Sequence, residues 1–518
     1  MNDTPHSGAP ATEALYAIDQ TAQRAHKYAE YLRRGGVRYP NSSHEQATGA
    51  PIAPNTTSAE LATRYAEMDK EALIATPTPT YVLSGRIMAL RLFGKLLFAQ
   101  LQDNTGRLQL AVSLDGSSPE VFALFNDCID LGDWVSVSGP LFRTNKGELT
   151  LQVQNFTVLA KCNHPLPDKW HGLEDIEQRY RQRYLDFIVN PEVKQVFTIR
   201  SKMVSAIRRF LDDNGFMEVE TPVLQLQAGG ALARPFHTHH NALDLALNLR
   251  IAPELFLKRL LVGGFPRVFE LSRNFRNEGI STKHNPEFTM LEWYMAYATR
   301  EDGMALMEQM LRHVVMSIFG HAQIPYGAHM VDFSKPFARM TMRESLLNLA
   351  GFTEADLEHM DALVAAAKAK KVEVPSPLPS YGELFQHCFE TLVEPQLIQP
   401  TYIMDYPIET SPLTRQDPNR PGWTQRAELY IVAREHGEFY SELNDPEDQR
   451  QRFEAQREKA KKGDGEAMPF DHDFLNALEL GMPPANGIGL GIDRLAMLLA
   501  NQPSIRDVIL FPLLRPKG

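Results

Sequence analysis

Between Tyr81 and Leu159 the chain alternates apolar and polar residues in five short runs, YVLSGRIMALR, LLFAQLQD, RLQLAV, DWVSVSGPLFR and ELTLQVQNFTVLA. Turn-formers, NTG, LGD and TNKG, stand between them. A period of two in pieces this short predicts half-buried strands joined by tight turns. Such strands hide their edges by closing on themselves, so a small five-stranded antiparallel barrel is expected over residues 79–163. A helical insertion is predicted near Pro119–Cys128.

The rest of the chain has a different texture. Antiparallel strand runs mix with helical stretches over 303–319, 353–371 and 381–393, which predicts an α+β domain over 191–518 with a helical insertion at about 340–395. The phosphate-binding motif GxxxxGK[ST] is missing, which removes a strand–P-loop–helix nucleotide domain. A length of 518 residues exceeds a single typical core. Residues 1–78 read as an N-terminal helix and connector, and 164–190, dense in charge, as a hinge. The helix, Glu13 to Arg38, carries a basic cluster that either touches RNA backbone or packs as an amphipathic face on the next domain.

Composition narrows the function classes. No apolar run approaches the roughly 20 residues needed to cross a bilayer, so no membrane role is expected. Cys128, Cys162 and Cys388 lack metal-ligand spacing, which argues against a zinc site and a disulfide framework and fits a reducing cytoplasm. The first residues show no targeting pattern. A net charge of −11 leaves nucleic-acid binding to local basic or aromatic patches.

One run points to chemistry. From Arg273 to Ala298 the sequence RNFRNEGISTKHNPEFTMLEWYMAYA places Arg273, Arg276, Glu278, Lys283, His284 and Glu287 among Phe275, Phe288, Trp293 and Tyr294, in what reads as a buried, strand-like segment. Burying so many polar groups is costly unless a ligand satisfies them. Arginine forks suit phosphate and carboxylate, and aromatic rings suit a flat base. ATP and an acid are the expected substrates.

The wording FRNEGISTKHNPEFT closely resembles the second signature of class II aminoacyl-tRNA synthetases, in the lysyl-tRNA synthetase branch of class IIb. The third signature is matched by GIGLGIDRLAMLLANQPSIRDVILFP, Gly487–Pro512, and the first by VFTIRSKMVSAIRRFLDDNGFMEVETPVLQ. The sequences typical of class I synthetases are absent. The resemblance implies an oligonucleotide-binding barrel, a catalytic domain on an antiparallel sheet, a homodimer formed through the first signature, and a cytoplasmic lysine--tRNA ligase. Its substrates would be L-lysine, ATP and tRNA(Lys), with Mg²⁺ as cofactor.

The resemblance also carries residue roles. Arg276 would bridge the substrate carboxylate and the α-phosphate, and Arg494, opening a helix after Gly491, would hold the γ-phosphate. His284 would assist at the phosphates, with adenine between Phe288 and Arg494 and its amino group donating to Glu278. Glu428 and Glu435 would surround Mg²⁺. Seven apart, they are expected on opposite faces of one strand unless a bulge re-aims one. Gly230 and Glu254 would hold the α-amino group, Glu442 and Tyr294 the ε-ammonium, and Tyr440 the aliphatic stem, with Glu292 also in the amino-acid pocket. For Glu254 an ion pair with Lys258, four residues on, is the competing reading. In the barrel, Phe98 would stack on an anticodon base, with Gln109 and Glu148 reading base edges.

The chain departs from the family wording just before Glu442. The usual pattern is an asparagine, a small residue, an aromatic, Ser or Thr, then Glu-Leu-Asn-Asp. Here Glu438 and Phe439 fill the first two places, and Val432 and Ala433 stand where small residues are common. A glutamate beside the substrate carboxylate costs roughly 1 to 4 kcal/mol unless protonated or turned away. A relative that activates a lysine analogue or uses another acceptor is the alternative, as is a non-catalytic RNA-binding regulator. The complete barrel argues against another acceptor, and Arg276, Glu278 and Arg494 argue against loss of catalysis.

Overall fold

The chain folds as two units, Met1–Gly172 and Leu173–Gly518. The computed structural model describes residues 10–41, 50–167, 173–463, 465 and 467–516. In the first unit α1 (Pro10–Arg33), α2 (Ser58–Arg64) and α3 (Lys70–Ala75) precede β1 (Tyr81–Phe93), β2 (Leu96–Gln102) and β3 (Arg107–Ser113). α4 (Pro119–Cys128) follows, N-capped by Ser118, and then β4 (Trp134–Gly139), β5 (Leu141–Arg143), β6 (Leu149–Gln152) and β7 (Asn155–Ala160).

The last two of the five expected strands are each broken in two. Pro140 offers no N–H to the ladder and separates β4 from β5, while Val153 and Gln154 separate β6 from β7. β4 pairs with β1 and β5 with β6, so the broken strand lies toward both ends of the order β5-β6-β3-β2-β1-β4-β7 and the sheet closes. Closure needs Gly139, because a Cβ there would overlap the Gln152 carbonyl oxygen. Leu83, Ile87, Leu101, Leu110, Val137 and Leu151 fill the interior.

The basic face of α1 is spent on this unit. Arg24 donates to the Leu131 and Cys162 carbonyls at 2.8 Å, and Lys27 pairs with Asp130 at 2.7 Å. Of the two readings of that helix, packing is the one the contacts support.

α5 (Ile176–Arg181), α6 (Arg183–Val189) and α7 (Val193–Asp213) open the second unit. Residues 168–172 of the stretch read as a hinge lie outside the described residues. Its later part is packed inward, with buried Arg183 on Asp186 and on the Arg506 carbonyl. β8 (Met217–Glu218) leads to a three-stranded sheet of β9 (Leu224–Gln225), β10 (His237–His240) and β11 (Leu245–Leu249), then to α8 (Glu254–Val262). β12 (Arg267–Phe275) and β13 (Glu287–Ala296) continue through α9 (Arg300–Phe319) to the hairpin β14 (Gln323–Tyr326) and β15 (His329–Asp332). After β16 (Ala338–Thr341) comes the helical insertion, α10 (Met342–Leu349), α11 (Met360–Ala369) and α12 (Tyr381–Leu392). The chain returns through β17 (Thr401–Pro407), β18 (Trp423–Tyr430), β19 (Glu435–Ser441), α13 (Pro446–Lys461), α14 (His472–Glu479), β20 (Ala485–Gly491), α15 (Ile492–Leu499) and α16 (Ile505–Val508).

Eight of these strands form one sheet, β16-β17-β18-β19-β20-β13-β12-β8, antiparallel except at its two ends. One face carries the core. Leu291 and Trp293 of β13, Ala427 and Leu429 of β18, Phe439 of β19, and Ile488 and Leu490 of β20 join Met203, Ile207, Met307, Leu311 and Leu495 of α7, α9 and α15. Phe439, the large residue where a small one is usual, is fully buried across from Ala427, whose short side chain leaves room for the ring. A period of two sends the intervening residues to the opposite face.

Candidate active site

Register builds the floor of a cleft on that opposite face. Glu292 of β13 pairs with Gly489 of β20, Gly489 with Glu438 of β19, and Glu438 with Glu428 of β18. Two residues along, Tyr294, Gly487, Tyr440 and Arg426 form the next row. The glycine-rich strand therefore leaves space on the cleft side while Ile488 and Leu490 fill the core. At Gly487 that space is obligatory, since a Cβ would meet the Glu442 carboxylate and, at 2.6 Å, the Tyr294 ring. The cleft encloses about 290 Å³ and takes in Gly230, Glu254, Arg276, Phe288, Glu438 and Arg494 among its lining residues.

Carboxylates crowd one end. Glu254 opens α8 and reaches the fully buried Lys258 at 2.6 Å, the ion pair that their spacing allows, while also lining the cleft. Lys258 also reaches Glu442 at 2.5 Å. Apart from that ion pair neither Glu442 oxygen has a hydrogen-bond partner among the described residues, although the side chain is buried. Burial pushes the Glu442 carboxyl up to about 8 against the pull of Lys258. Burial, with the nearby Glu254 charge, also raises Glu292, which accepts from the Tyr294 hydroxyl at 3.3 Å. Gly230 has φ +87°, and a Cβ on it would lie 2.9 Å from Cβ of Glu254, so backbone and carboxylate share one wall.

The run Arg273–Ala298 is a hairpin and not one buried strand. Its polar members Arg276, Glu278, Lys283 and His284 lie on the loop between β12 and β13, where backbone polar groups are met by local bonds such as Arg276 N–H to the Pro286 carbonyl at 2.9 Å. The Arg276 guanidinium covers the Phe288 ring at 5.1 Å, and its buried Nε has no partner among the described residues. Arg494, in the first turn of α15, instead donates to the Glu435 carbonyl at 2.9 Å and to its carboxylate at 3.1 Å. Burial, followed by the Arg494 charge, lowers the His284 pKa and favours its neutral form.

A second, acidic cavity shares Lys283, His284, Arg426, Glu435, Glu438 and Arg494 with the first and adds Glu428, Glu390 and Glu394. Glu428 and Glu435 are on two strands, β18 and β19, joined by the turn Ile431–Arg434. The register skips His436, so Glu435 falls opposite Tyr430 and onto the face of Glu428. The bulge, left open as an exception by spacing alone, is what unites the two carboxylates. Burial first, then the Glu435 and Glu438 charges, push Glu428 up to about 8 against Arg426. Glu438 is tied to Arg426 at 3.2 Å and to the Tyr440 hydroxyl. Arg426 escaped notice in the sequence, although a charged residue two before Glu428 on an alternating strand had to share its face.

On the barrel, Phe98 is half-buried and meets Phe93 edge-on at 6.3 Å between ring centres. Gln109 pairs with Gln100 across β2 and β3, which sets it on the Phe98 face, and it donates to Thr150 at 2.9 Å. Glu148 is exposed just before β6.

Two family models match this chain. One, described as tRNA synthetases class II (D, K and N), covers residues 175–515, and the other, an OB-fold nucleic acid binding domain, covers 81–159. A lysine--tRNA ligase of Pelotomaculum thermopropionicum is 52% identical over 84% of this chain and 86% of its own length. That of Moorella thermoacetica is 50% identical over 90% and 94%, and that of Ralstonia nicotianae 47% over 99% of both. The chain belongs to the class II lysyl-tRNA synthetases. As in that family's signatures, the cleft of this synthetase is framed by the loop after β12 and the β20–α15 turn. Among the described residues of this lysyl-tRNA synthetase, no helix is long and apolar enough to cross a membrane.

Proposed function

We propose that this synthetase activates L-lysine with ATP to lysyl-adenylate and transfers the lysyl group to the 3′ end of tRNA(Lys). The observation that carries this reading is the cleft in which Arg276, Phe288 and Arg494 lie beside the buried carboxylates Glu254 and Glu292, with Glu442 joined to Glu254 through Lys258. Attack of a carboxylate on the α-phosphate brings two anions together, so a fixed cation between them supplies most of the rate. Arg276 is that cation: it lines the cleft, and its buried Nε has no partner among the described residues. Phe288 offers a ring face for adenine, Glu278 accepts from the base's amino group, and His284 and Arg494 hold the outer phosphates.

Glu254 with Gly230 binds the α-ammonium. Glu442, desolvated and short of donors, binds the ε-ammonium beside Tyr294, and Tyr440 covers the stem. Glu428 and Glu435 suit a hard divalent cation by donor type, and their crowding with Glu438 is what such an ion relieves. Mg²⁺ held by Glu428 and Glu435 would supply positive charge against the phosphates of ATP. Phe98, Gln109 and Glu148 read the anticodon by stacking and by polar contacts. We further infer a cytoplasmic homodimer, joined through the first-signature segment that includes α7.

The test is ATP–pyrophosphate exchange with a panel of amino acids, followed by charging of tRNA(Lys). Lysine alone should support exchange, and Arg276→Ala should lower it by about a thousandfold or more with unchanged thermal stability. Exchange retained in the folded variant would refute the assignment.

A further inference from the structure

Lys258 is fully buried one helical turn after Glu254, and its ammonium lies 2.6 Å from a Glu254 oxygen and 2.5 Å from a Glu442 oxygen. It also sits 6.0 Å from the centre of the Tyr294 ring. As a device for stability this is a poor choice, because a buried ion pair often does no better than apolar packing of the same volume. Its placement is informative for another reason. The two carboxylates it joins come from different elements, Glu254 from α8 and Glu442 from the segment after β19, and each is the proposed partner of one substrate ammonium. With both carboxylates ionised, as lysine binding requires, two against one ammonium leave a single negative surplus, which complements the net charge of lysine. Without Lys258 the surplus is two, in a place where water cannot screen it.

We propose that Lys258 is a positioning residue for the amino acid, bridging Glu254 and Glu442 so that their spacing and combined charge fit a substrate with two ammonium groups and one carboxylate. This rests on the reading of the cleft as a lysine-activating site. Lys258 touches carboxylates and not the reacting atoms, so its effect falls on lysine binding more than on phosphoryl chemistry. The charged and titratable groups around Glu442 are Lys258 and Glu254 from α8 and Tyr294 from β13. Among these Lys258 alone favours the ionised carboxylate. Its removal leaves burial and Glu254 unopposed, so lysine binding becomes more dependent on pH.

The experiment compares wild type with Lys258→Met, an apolar side chain of similar length, in lysine-dependent ATP–pyrophosphate exchange between about pH 6.5 and 9. The expected result is a lysine KM raised about tenfold or more, with kcat and ATP KM within about threefold of wild type. The variant's lysine KM should also fall with rising pH more steeply than that of wild type. A folded Lys258→Met enzyme with the wild-type lysine KM and pH profile overturns the proposal, as does an equal rise in ATP KM. If Lys258→Met does not fold, Lys258→Met/Glu254→Gln restores the charge balance and is compared with Glu254→Gln alone. A lysine KM about fivefold or more below that of Glu254→Gln, whose pocket has no negative surplus, supports the role, and agreement within about twofold or a further rise overturns it. Absence of lysine-dependent exchange in wild type overturns the activity reading itself, and the proposal with it.

Discussion

Glu438 stands directly across from Glu428, an arrangement that sets two carboxylates on one face of a strand pair. Arg426 resolves it by pairing with both, at 2.5 Å and 3.2 Å, while the Tyr440 hydroxyl donates to Glu438. The like-charge penalty toward a substrate carboxylate is therefore partly offset, which lowers the expected cost toward about 1 kcal/mol. Glu438→Asn should lower the lysine KM by roughly threefold to tenfold. Identical values for the two enzymes would remove Glu438 from substrate recognition. Glu442 gives a pH signature of its own. Its carboxyl, pushed up to about 8 in the fold from an ordinary 4.5, holds a proton that the unfolded chain has lost. Its contribution to stability is thus present below about pH 4.5 and is lost as pH rises toward 8, whereas lysine binding, which needs the anion, tightens over the same range. Between pH 6 and 8 both the melting temperature of unliganded enzyme and the lysine KM should fall, and Glu442→Gln should flatten both trends.

At the scale of the element, the turn Ile431–Arg434 carries the least comfortable backbone near the site. Val432 and Ala433 have φ of 50° and 54°, left-handed values that cost a non-glycine residue about 1–2 kcal/mol each. Their N–H groups donate to the Ile398 and Leu397 carbonyls at 3.0 and 2.7 Å, outside the sheet, and the tight turn leads into the bulge that puts Glu435 on the face of Glu428. Ala433→Gly relieves that strain but gives the unfolded chain more freedom, for a net gain of about 0.5–1 kcal/mol. Denaturant midpoints should show it, with exchange activity unchanged. A less stable Ala433→Gly protein would mean the turn is not strained. The signature hairpin teaches a related lesson. A run dense in charge looked like a buried strand with a ligand inside it, but the strands are flanking pieces and the charges belong to their connection.

At the scale of the whole molecule, the barrel and the synthetase unit each have their own core, so their roles separate. Phe98→Ala removes a stacking surface worth about 1–3 kcal/mol per base. It should lower kcat/KM for tRNA(Lys) by roughly fivefold to a hundredfold and leave tRNA-independent exchange intact. Equal charging by both proteins would mean that Phe98 is a packing residue beside Phe93. Much of this organisation was legible beforehand: the five-strand barrel with its helix after the third strand, the helical insertion, and Arg276, Phe288, Glu438 and Arg494 as residues of one place. Their periodicity, turn chemistry and motif wording are local properties, and local properties are what a sequence carries. Which strand lies beside which, and in what register, is not local. The eight-stranded order brings Glu292, Gly489, Glu438 and Glu428 into one row from segments spread over residues 287–491. Lys258 bridging Glu254 and Glu442, Arg426 neutralising Glu438, and the bulge at His436 all depend on contacts between distant segments, whose energies are decided only when the sheet forms. By itself the sequence determined the two fold types and the chemistry of the groups, because spacing and side-chain type suffice for those. The tertiary structure decided which charges face one another, because pairing and burial belong to the packed chain.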